Sequence, residues 1–72
     1  MFKQFDNVEL TKEYKGGVDL GIKPGLVYPK GSKGVIVQMY GDMAMVEIVE
    51  PIVANKMVTV RIADLKLVEV HF

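Results

Sequence analysis

The chain has 72 residues with no cysteine and one histidine, and nine lysine and arginine residues balance nine aspartate and glutamate residues. The lack of cysteine excludes disulfides and thiolate metal sites, and a single histidine disfavours a histidine-built metal site. The zero formal charge disfavours a nucleic-acid binder that works by charge alone, because such binding depends on neutralising several phosphates.

This length fits one domain over residues 1–72, near the lower size limit for a self-sufficient core. Half of the residues are apolar, so stability has to come from apolar burial, which self-association can supplement. No stretch has the length of a membrane span, and the first residues lack the apolar segment of a secretory signal. We therefore expect a cytoplasmic protein that makes no contact with a membrane.

The first predicted element is a half-buried strand over residues 7–12, where apolar and polar side chains alternate and Val8 and Leu10 point inward. A long connection rich in glycine and proline follows over residues 13–30. Within it, Lys23-Pro24-Gly25-Leu26 suits a type II turn, because proline pre-sets the first central φ and glycine accepts the positive second one. Apolar residues recur along this connection, which predicts that it folds back onto the rest of the protein.

The second strand is predicted over residues 34–40, after a glycine-punctuated turn. The pattern does not fix which side of it is buried, because strands in small barrels bend and bulge. Gly41-Asp42 marks a tight turn into a third strand that ends at Pro51, since proline lacks the amide donor of a central strand. One face of the third strand carries Ala44, Val46 and Ile48.

The clearest alternation in the chain predicts a fourth strand over residues 56–62. Its inward residues are Val58, Val60 and Ile62, and its outward residues are Met57, Thr59 and Arg61. Residues 63–65 are too short for an α-helix and are predicted to form a single 3₁₀ turn. Residues 66–70 then form the fifth strand.

Five short strands, a long first loop and a 3₁₀ turn before the last strand predict an all-β, five-stranded SH3-like barrel. Phe5 and Phe72 are expected to cap its ends. Four segments resemble a small bacterial family of SH3-like barrels of unknown function: Pro29-Lys30-Gly31-Ser32-Lys33-Gly34-Val35-Ile36-Val37, Tyr40-Gly41, Val46-Glu47-Ile48 and Ala63-Asp64-Leu65. That family is loosely similar to KOW barrels and to the β-subunit-like domains of nitrile hydratase. These motifs are structural, so the resemblance implies the barrel and no catalytic residue.

The methionines of the third strand carry the functional prediction. Met43 and Met45 lie opposite the predicted inner face, so this strand is apolar on both sides. Met57 has the outward parity of its own strand, and Met39 is a candidate to join the group. Methionine side chains adapt to partner surfaces, and a contiguous exposed apolar patch marks an interaction site. Two interpretations stay open: either the methionine strip is exposed, or the 13–30 connection or residues 70–72 cover it.

We therefore predict a non-catalytic protein-interaction or accessory domain. It docks a protein partner, or a second copy of itself, on the outer face of the third and fourth strands. The predicted contact residues are Met43, Met45, Met57, Thr59 and Arg61, with Tyr14 and Tyr28 of the long connection at one rim.

Two other functions stay open. One is an RNA- or ribosome-associated KOW-like barrel, in which lysines form a basic face beside the tyrosines. The lysines concerned are Lys12, Lys15, Lys23, Lys30 and Lys33. The other is a small subunit that stabilises a larger enzyme. A polyproline groove between Tyr14 and Tyr28 lacks the tryptophan and the acidic cluster that peptide-binding SH3 domains use.

Catalysis, a metal site and a cofactor are not predicted. Ser32 has no histidine base, because the single histidine, His71, lies beside the C-terminus. Gly31-Ser32-Lys33-Gly34 resembles part of a phosphate loop, but the spacing of that motif is missing and a strand follows instead of a helix. We interpret these four residues as a structural turn.

Overall fold

A computed structural model describes residues 2–17 and 22–68, which form an all-β fold with one short 3₁₀ turn. The strands are β1 (Asn7–Leu10), β2 (Tyr14–Lys15), β3 (Val27–Tyr28), β4 (Lys33–Tyr40), β5 (Met43–Glu50), β6 (Met57–Arg61) and β7 (Leu65–Leu67). The all-β prediction is confirmed. The predicted number of five strands is wrong, because the 13–30 connection contains β2 and β3 as a hairpin of its own.

The larger sheet has five antiparallel strands in the order β6-β5-β4-β1-β7, and β2 and β3 form a separate two-stranded sheet. The sequence-adjacent strands β4, β5 and β6 are joined by direct antiparallel pairing. β1 lies between β4 and the last strand β7, so the two ends of the described chain meet in one sheet.

The core lies on the inner face of the five-stranded sheet. The alternation in β1, β5 and β6 places one set of side chains inward, as the sequence predicts, and these are at most 3% exposed: Val8, Leu10, Ala44, Val46, Ile48, Val58 and Val60. Ile36 of β4 and Leu65 of β7 join the same cluster. Gly34 allows β5 to approach closely, since a Cβ there would lie 2.3 Å from the Glu47 carbonyl oxygen.

β4 contains the bulge that decides which of its residues face outward. Ile36 pairs with Val46 and Gln38 pairs with Met45, so Val37 has no directly opposed residue on β5. The extra residue reverses the parity of the strand. Met39, opposite Ala44, consequently packs against the core, so the expectation that Met39 joins the outer methionines is wrong.

The β2–β3 hairpin packs onto the sheet, which confirms that the 13–30 connection folds back. Tyr14, Ile22 and Tyr28 belong to the core cluster. The predicted turn at Lys23-Pro24-Gly25-Leu26 is present: Gly25 has a φ of 91° and the Leu26 N–H donates to the Lys23 carbonyl over 3.2 Å.

The 3₁₀ turn spans Ile62–Asp64, one residue earlier than predicted, because Leu65 already pairs with Leu10 as the first residue of β7. Ile62, predicted as an inward strand residue, belongs to this turn and is partly buried against the core. The predicted end of the last strand at residue 70, the cap at Phe72 and the cover by residues 70–72 lie outside the described residues. In the part of the chain that the structure describes, no helix has the length and apolar character needed to cross a membrane.

Candidate interaction surface

The outer face of β4, β5 and β6 brings together residues that are far apart in the sequence. Strand pairing aligns them in three rows: Tyr40, Met43 and Arg61; Gln38, Met45 and Thr59; and Val35, Glu47 and Met57. We call these residues the outer face. Side chains of directly opposed residues lie about 5 Å apart on the same side of a sheet, so each row is contiguous.

The apolar members of the outer face are accessible to different degrees. Tyr40 is 42% exposed and Met57 is 39% exposed. Met43, Met45 and Val35 are half-buried. The methionines of β5 are therefore neither core residues nor fully exposed ones. Together with Tyr40 and Met57, they give the outer face an accessible apolar surface.

Polar and charged groups border this apolar strip. The Tyr40 hydroxyl and the Thr59 hydroxyl lie 3.3 Å apart, which ties β4 to β6 across the top of β5. Arg61 and Glu47 are exposed and stand in the first and third rows, so opposite charges mark the two ends of the face. An apolar centre with a polar rim is the usual anatomy of a protein–protein contact.

The structure places Tyr14 and Tyr28 in the core instead of at a rim. Each is 2% exposed, so neither ring offers surface to a partner. The Tyr14 hydroxyl donates to Asp64 Oδ2 over 2.6 Å and accepts from the Arg61 N–H over 2.9 Å. The Tyr28 hydroxyl donates to the Asn55 carbonyl over 2.6 Å. We leave both tyrosines out of the interaction surface.

Burial raises the pKa of both tyrosine hydroxyls. Burial, followed by the hydrogen bond to the Asp64 carboxylate, raises the pKa of Tyr14 to about 12. Burial also raises the pKa of Tyr28. An ordinary tyrosine, with a pKa of 10.0, is already neutral at physiological pH, and these two side chains fasten the β2–β3 hairpin beside β6 through their hydrogen bonds.

The lysines of the predicted basic face have varied surroundings. Lys12 Nζ lies 4.9 Å from the centre of the Tyr14 ring, a cation–π distance. Lys30 and Lys33 border a shallow cleft of about 230 Å³ whose other walls are Pro29, Gly31, Ser32, Glu50 and Pro51. The Glu50 carboxylate in the wall of this cleft offsets the positive charge of the two lysines, which a bound phosphate would require.

Three hydrogen-bond donors in the turn Gly31-Ser32-Lys33-Gly34 already bond to carbonyl groups of the protein. The Gly31 N–H donates to the Leu10 carbonyl over 2.9 Å, and the Ser32 N–H donates to the Pro29 carbonyl over 3.1 Å. The Ser32 hydroxyl, in a residue that is 1% exposed, also donates to the Pro29 carbonyl. These donors already have partners within the protein, which agrees with the interpretation of a structural turn.

Titratable metal ligands do not gather in the described part of the chain: residues 2–17 and 22–68 hold no group of three or more histidine, cysteine, aspartate or glutamate side chains placed to bind an ion.

The sequence predicts that Phe5 caps the barrel, whereas the structure leaves its side chain exposed. Its side chain is 71% exposed and its φ is 73°, the one positive φ at a non-glycine residue among those described. No sequence pattern marks it, because the turn that holds it contains neither glycine nor proline.

Comparisons with protein families, with curated proteins and with solved structures find no match for this chain. The interpretation of its function therefore rests on the geometry described above.

Proposed function

We propose that this chain is a non-catalytic protein-interaction domain, built as an SH3-like barrel, that binds a protein partner through the outer face of β4, β5 and β6. The observation that carries the proposal is the pair of half-buried methionines on the outer side of β5, whose inner side already supplies the core.

The order of elements supports the SH3-like barrel. A hairpin within the first long connection, the bulged strands β4 and β5, and a 3₁₀ turn directly before the last strand occur here in that order. The first strand, β1, pairs with the last strand, β7, so the beginning and the end of the sheet-forming chain lie side by side. A bulge at Val37 of β4 and a second one at Val49 of β5 supply the kind of strand bending that a small barrel needs.

The chemistry of the outer face supports binding to a protein. Ala44, Val46 and Ile48 supply the core side of β5, where each is at most 1% exposed, and the half-buried Met43 and Met45 lie on its other side. Methionine side chains adapt their shape and make favourable contacts with aromatic rings. Tyr40 and Met57 extend the apolar strip onto both neighbouring strands.

Hydrogen bonds at the edge of β6 favour binding by the face over binding by the strand edge. The Arg61 N–H already donates to Tyr14, and the Met57 N–H donates to the Asn55 side chain over 3.3 Å. Addition of a partner strand along β6 would have to displace these groups.

The test compares outer-face variants with a matched variant elsewhere. Met57→Glu and Met45→Glu place a charge within the apolar strip, whereas Ile52→Glu places one on an exposed loop residue that is 91% accessible. Chemical crosslinking of the purified chain to proteins of its native host, followed by mass spectrometry, should identify one partner that Ile52→Glu retains and both methionine variants lose.

Circular dichroism of the same variants checks that the fold is intact. If Met45→Glu and Met57→Glu unfold the chain, the methionines are core residues and the proposal is wrong. Raising the salt from about 50 to about 200 mM should leave capture unchanged, whereas phosphate contacts would weaken it by orders of magnitude. A salt-sensitive, nuclease-sensitive complex would favour RNA binding instead.

A further inference from the structure

Phe5 has a backbone conformation that usually belongs to glycine. The Asp6 N–H donates to the Lys3 carbonyl over 3.2 Å, so residues 3–6 form a β-turn with Phe5 in its third position. A φ of 73° at Phe5, without a positive φ at Gln4, makes this a type II turn. Any side chain at that position crowds its own backbone, so Phe5 introduces local strain into the fold.

The hydrogen bonds that hold this turn do not involve the Phe5 ring. The Lys3 N–H donates to Asp6 Oδ2 over 2.9 Å, and the Gln4 side-chain amide donates to the Val37 carbonyl over 2.8 Å. The Phe5 N–H donates to the Ile36 carbonyl over 2.7 Å. All three bonds would also form with glycine at position 5. Because Phe5 is 71% exposed, its ring adds little burial in return for the strain.

The turn lies beside a second irregularity of the backbone. Val37, whose carbonyl accepts from Gln4, is the bulged residue of β4 that has no directly opposed residue on β5. Strained positions and bulges are concentrated at functional sites, where they hold a side chain in a particular place. Bonds to β4 from Phe5 and Gln4 fix the turn, so the Phe5 ring is presented to solvent by a backbone that is already ordered.

We propose that Phe5 is an anchor residue whose ring inserts into an apolar pocket on a partner protein. This contact goes beyond the outer face and does not depend on it. Aromatic rings that become buried in a pocket, inside a rim of polar groups, supply much of the binding energy of protein–protein contacts. The turn is ordered before binding, so burial of the ring costs little additional conformational entropy.

The surroundings of the ring favour a protein pocket over a lipid surface. Its neighbours Lys3, Gln4 and Asp6 are polar, and the charges of Lys3 and Asp6 cancel. Attachment to a membrane surface depends on a broad apolar face together with positive charge, and residues 3–6 offer one ring and no net charge. Polar groups of both signs around a single ring instead match the rim of a protein contact.

The first experiment places the photo-crosslinking residue p-benzoyl-phenylalanine at position 5 of the full chain in its native host. Mass spectrometry of the product should identify one protein, crosslinked through residues that line an apolar pocket. The same group at position 52 is the matched control, because Ile52 is also exposed, at 91%, and should give no such product. The absence of a position-5 product overturns the proposal, as does the same product at both positions.

The second experiment measures the affinity of the purified chain for the purified partner by isothermal titration calorimetry. Phe5→Gly should raise the Kd at least ~10-fold, equivalent to about 1.4 kcal/mol, because it removes the ring and keeps the turn. Ile52→Gly removes another exposed apolar side chain and should leave the Kd unchanged. An unchanged Kd for Phe5→Gly overturns the proposal.

The thermal midpoint of the same variants separates binding from folding. Glycine accepts the positive φ and keeps every bond of the turn, so Phe5→Gly should unfold at a temperature equal to or above that of the wild type. A variant that is as stable as the wild type and no longer binds is the result that a packing role would not give. A clear fall in the midpoint overturns the proposal, because Phe5 would then be a packing residue.

Two further results would assign the ring to a different occupant and overturn the proposal. One is cosedimentation of the wild type, but not of Phe5→Gly, with vesicles of phosphatidylcholine and phosphatidylglycerol. The other is a position-5 product that consists of two copies of this chain. The outer-face proposal fails separately: a host partner that Met45→Glu retains overturns only that proposal, and a missing crosslink at position 5 overturns only this one.

Discussion

Replacement of Tyr14 by phenylalanine tests how the β2–β3 hairpin is fastened to the sheet. The hydroxyl donates to Asp64 Oδ2 and accepts from the Arg61 N–H, so its loss removes two hydrogen bonds and leaves the N–H without that acceptor. A hydrogen bond to a charged group contributes about 1.5–3 kcal/mol, and a donor left unsatisfied adds a penalty of similar size. Since the site is only part-buried, water compensates some of this loss, and we expect Tyr14→Phe to lower the free energy of unfolding by about 2–3 kcal/mol.

Urea denaturation followed by circular dichroism measures this change, and a thermal scan should show a midpoint lower by roughly 10–20 °C for a domain of this size. Tyr28→Phe is the matched control, because it removes one hydrogen bond to a neutral carbonyl and should cost only about 1 kcal/mol. Equal effects of the two substitutions, or a loss below about 0.5 kcal/mol for Tyr14→Phe, would refute the argument that the shared hydroxyl fastens the hairpin.

Further outcomes follow from the same geometry. The pKa of Tyr14 is about 12 in the folded chain against 10.0 for an ordinary tyrosine. At a pH between these values, Tyr14 loses its proton more readily in the unfolded chain than in the folded one. The contribution of this group to the free energy of unfolding is therefore fully present below pH 10 and should fall as the pH rises towards 12. Urea unfolding at a series of pH values should show a shallower fall for Tyr14→Phe. Gly34→Ala places a Cβ 2.3 Å from the Glu47 carbonyl oxygen, and a thermal scan should show a loss of about 3 kcal/mol or no folded chain. Lys66→Ala breaks an ion pair of 3.4 Å with Glu9 that is 58% exposed on the lysine side, and should cost under ~0.5 kcal/mol in urea.

The fastening of the hairpin also affects the edge of the larger sheet at β6. Exposed sheet edges are sites of uncontrolled pairing, and natural proteins usually cover them. Here two tyrosine hydroxyls, from residues Tyr14 and Tyr28 of one hairpin, bond to groups at and just before β6. These bonds engage groups at the β6 edge, whereas the outer face leaves Tyr40 and Met57 accessible.

Regular alternation made the longer elements predictable. Val8 and Leu10, and Val58 and Val60, face the core as the sequence predicts, because side chains alternate between the two sides of any strand. The turn at Gly25 and the 3₁₀ turn near Asp64 were also predicted, since each depends on local backbone preferences. The prediction that Met43 and Met45 lie away from the core follows from the same periodicity.

The candidate site was predictable only in part. The outer methionines, Thr59 and Arg61 were placed on one face by strand parity, and pairing of β5 with β6 brings them together. Tyr40 was not included, because its side depends on the bulge at Val37, and a bulge depends on how two strands pair. Phe5 lies outside the outer face, and its exposed position was not predicted either, because the turn that holds it bonds to β4, which is distant in the sequence.

The amino-acid sequence alone determined the all-β class, the inner faces of β1, β5 and β6, and the apolar character of both sides of β5. These follow from local periodicity and from the conformational preferences of single residues. Tertiary structure alone decided that Tyr14 and Tyr28 are core residues and that Phe5 is an exposed ring on a strained turn. Tyr14 finds its hydrogen-bond partners 47 and 50 residues along the chain, and only folding brings such distant groups into contact.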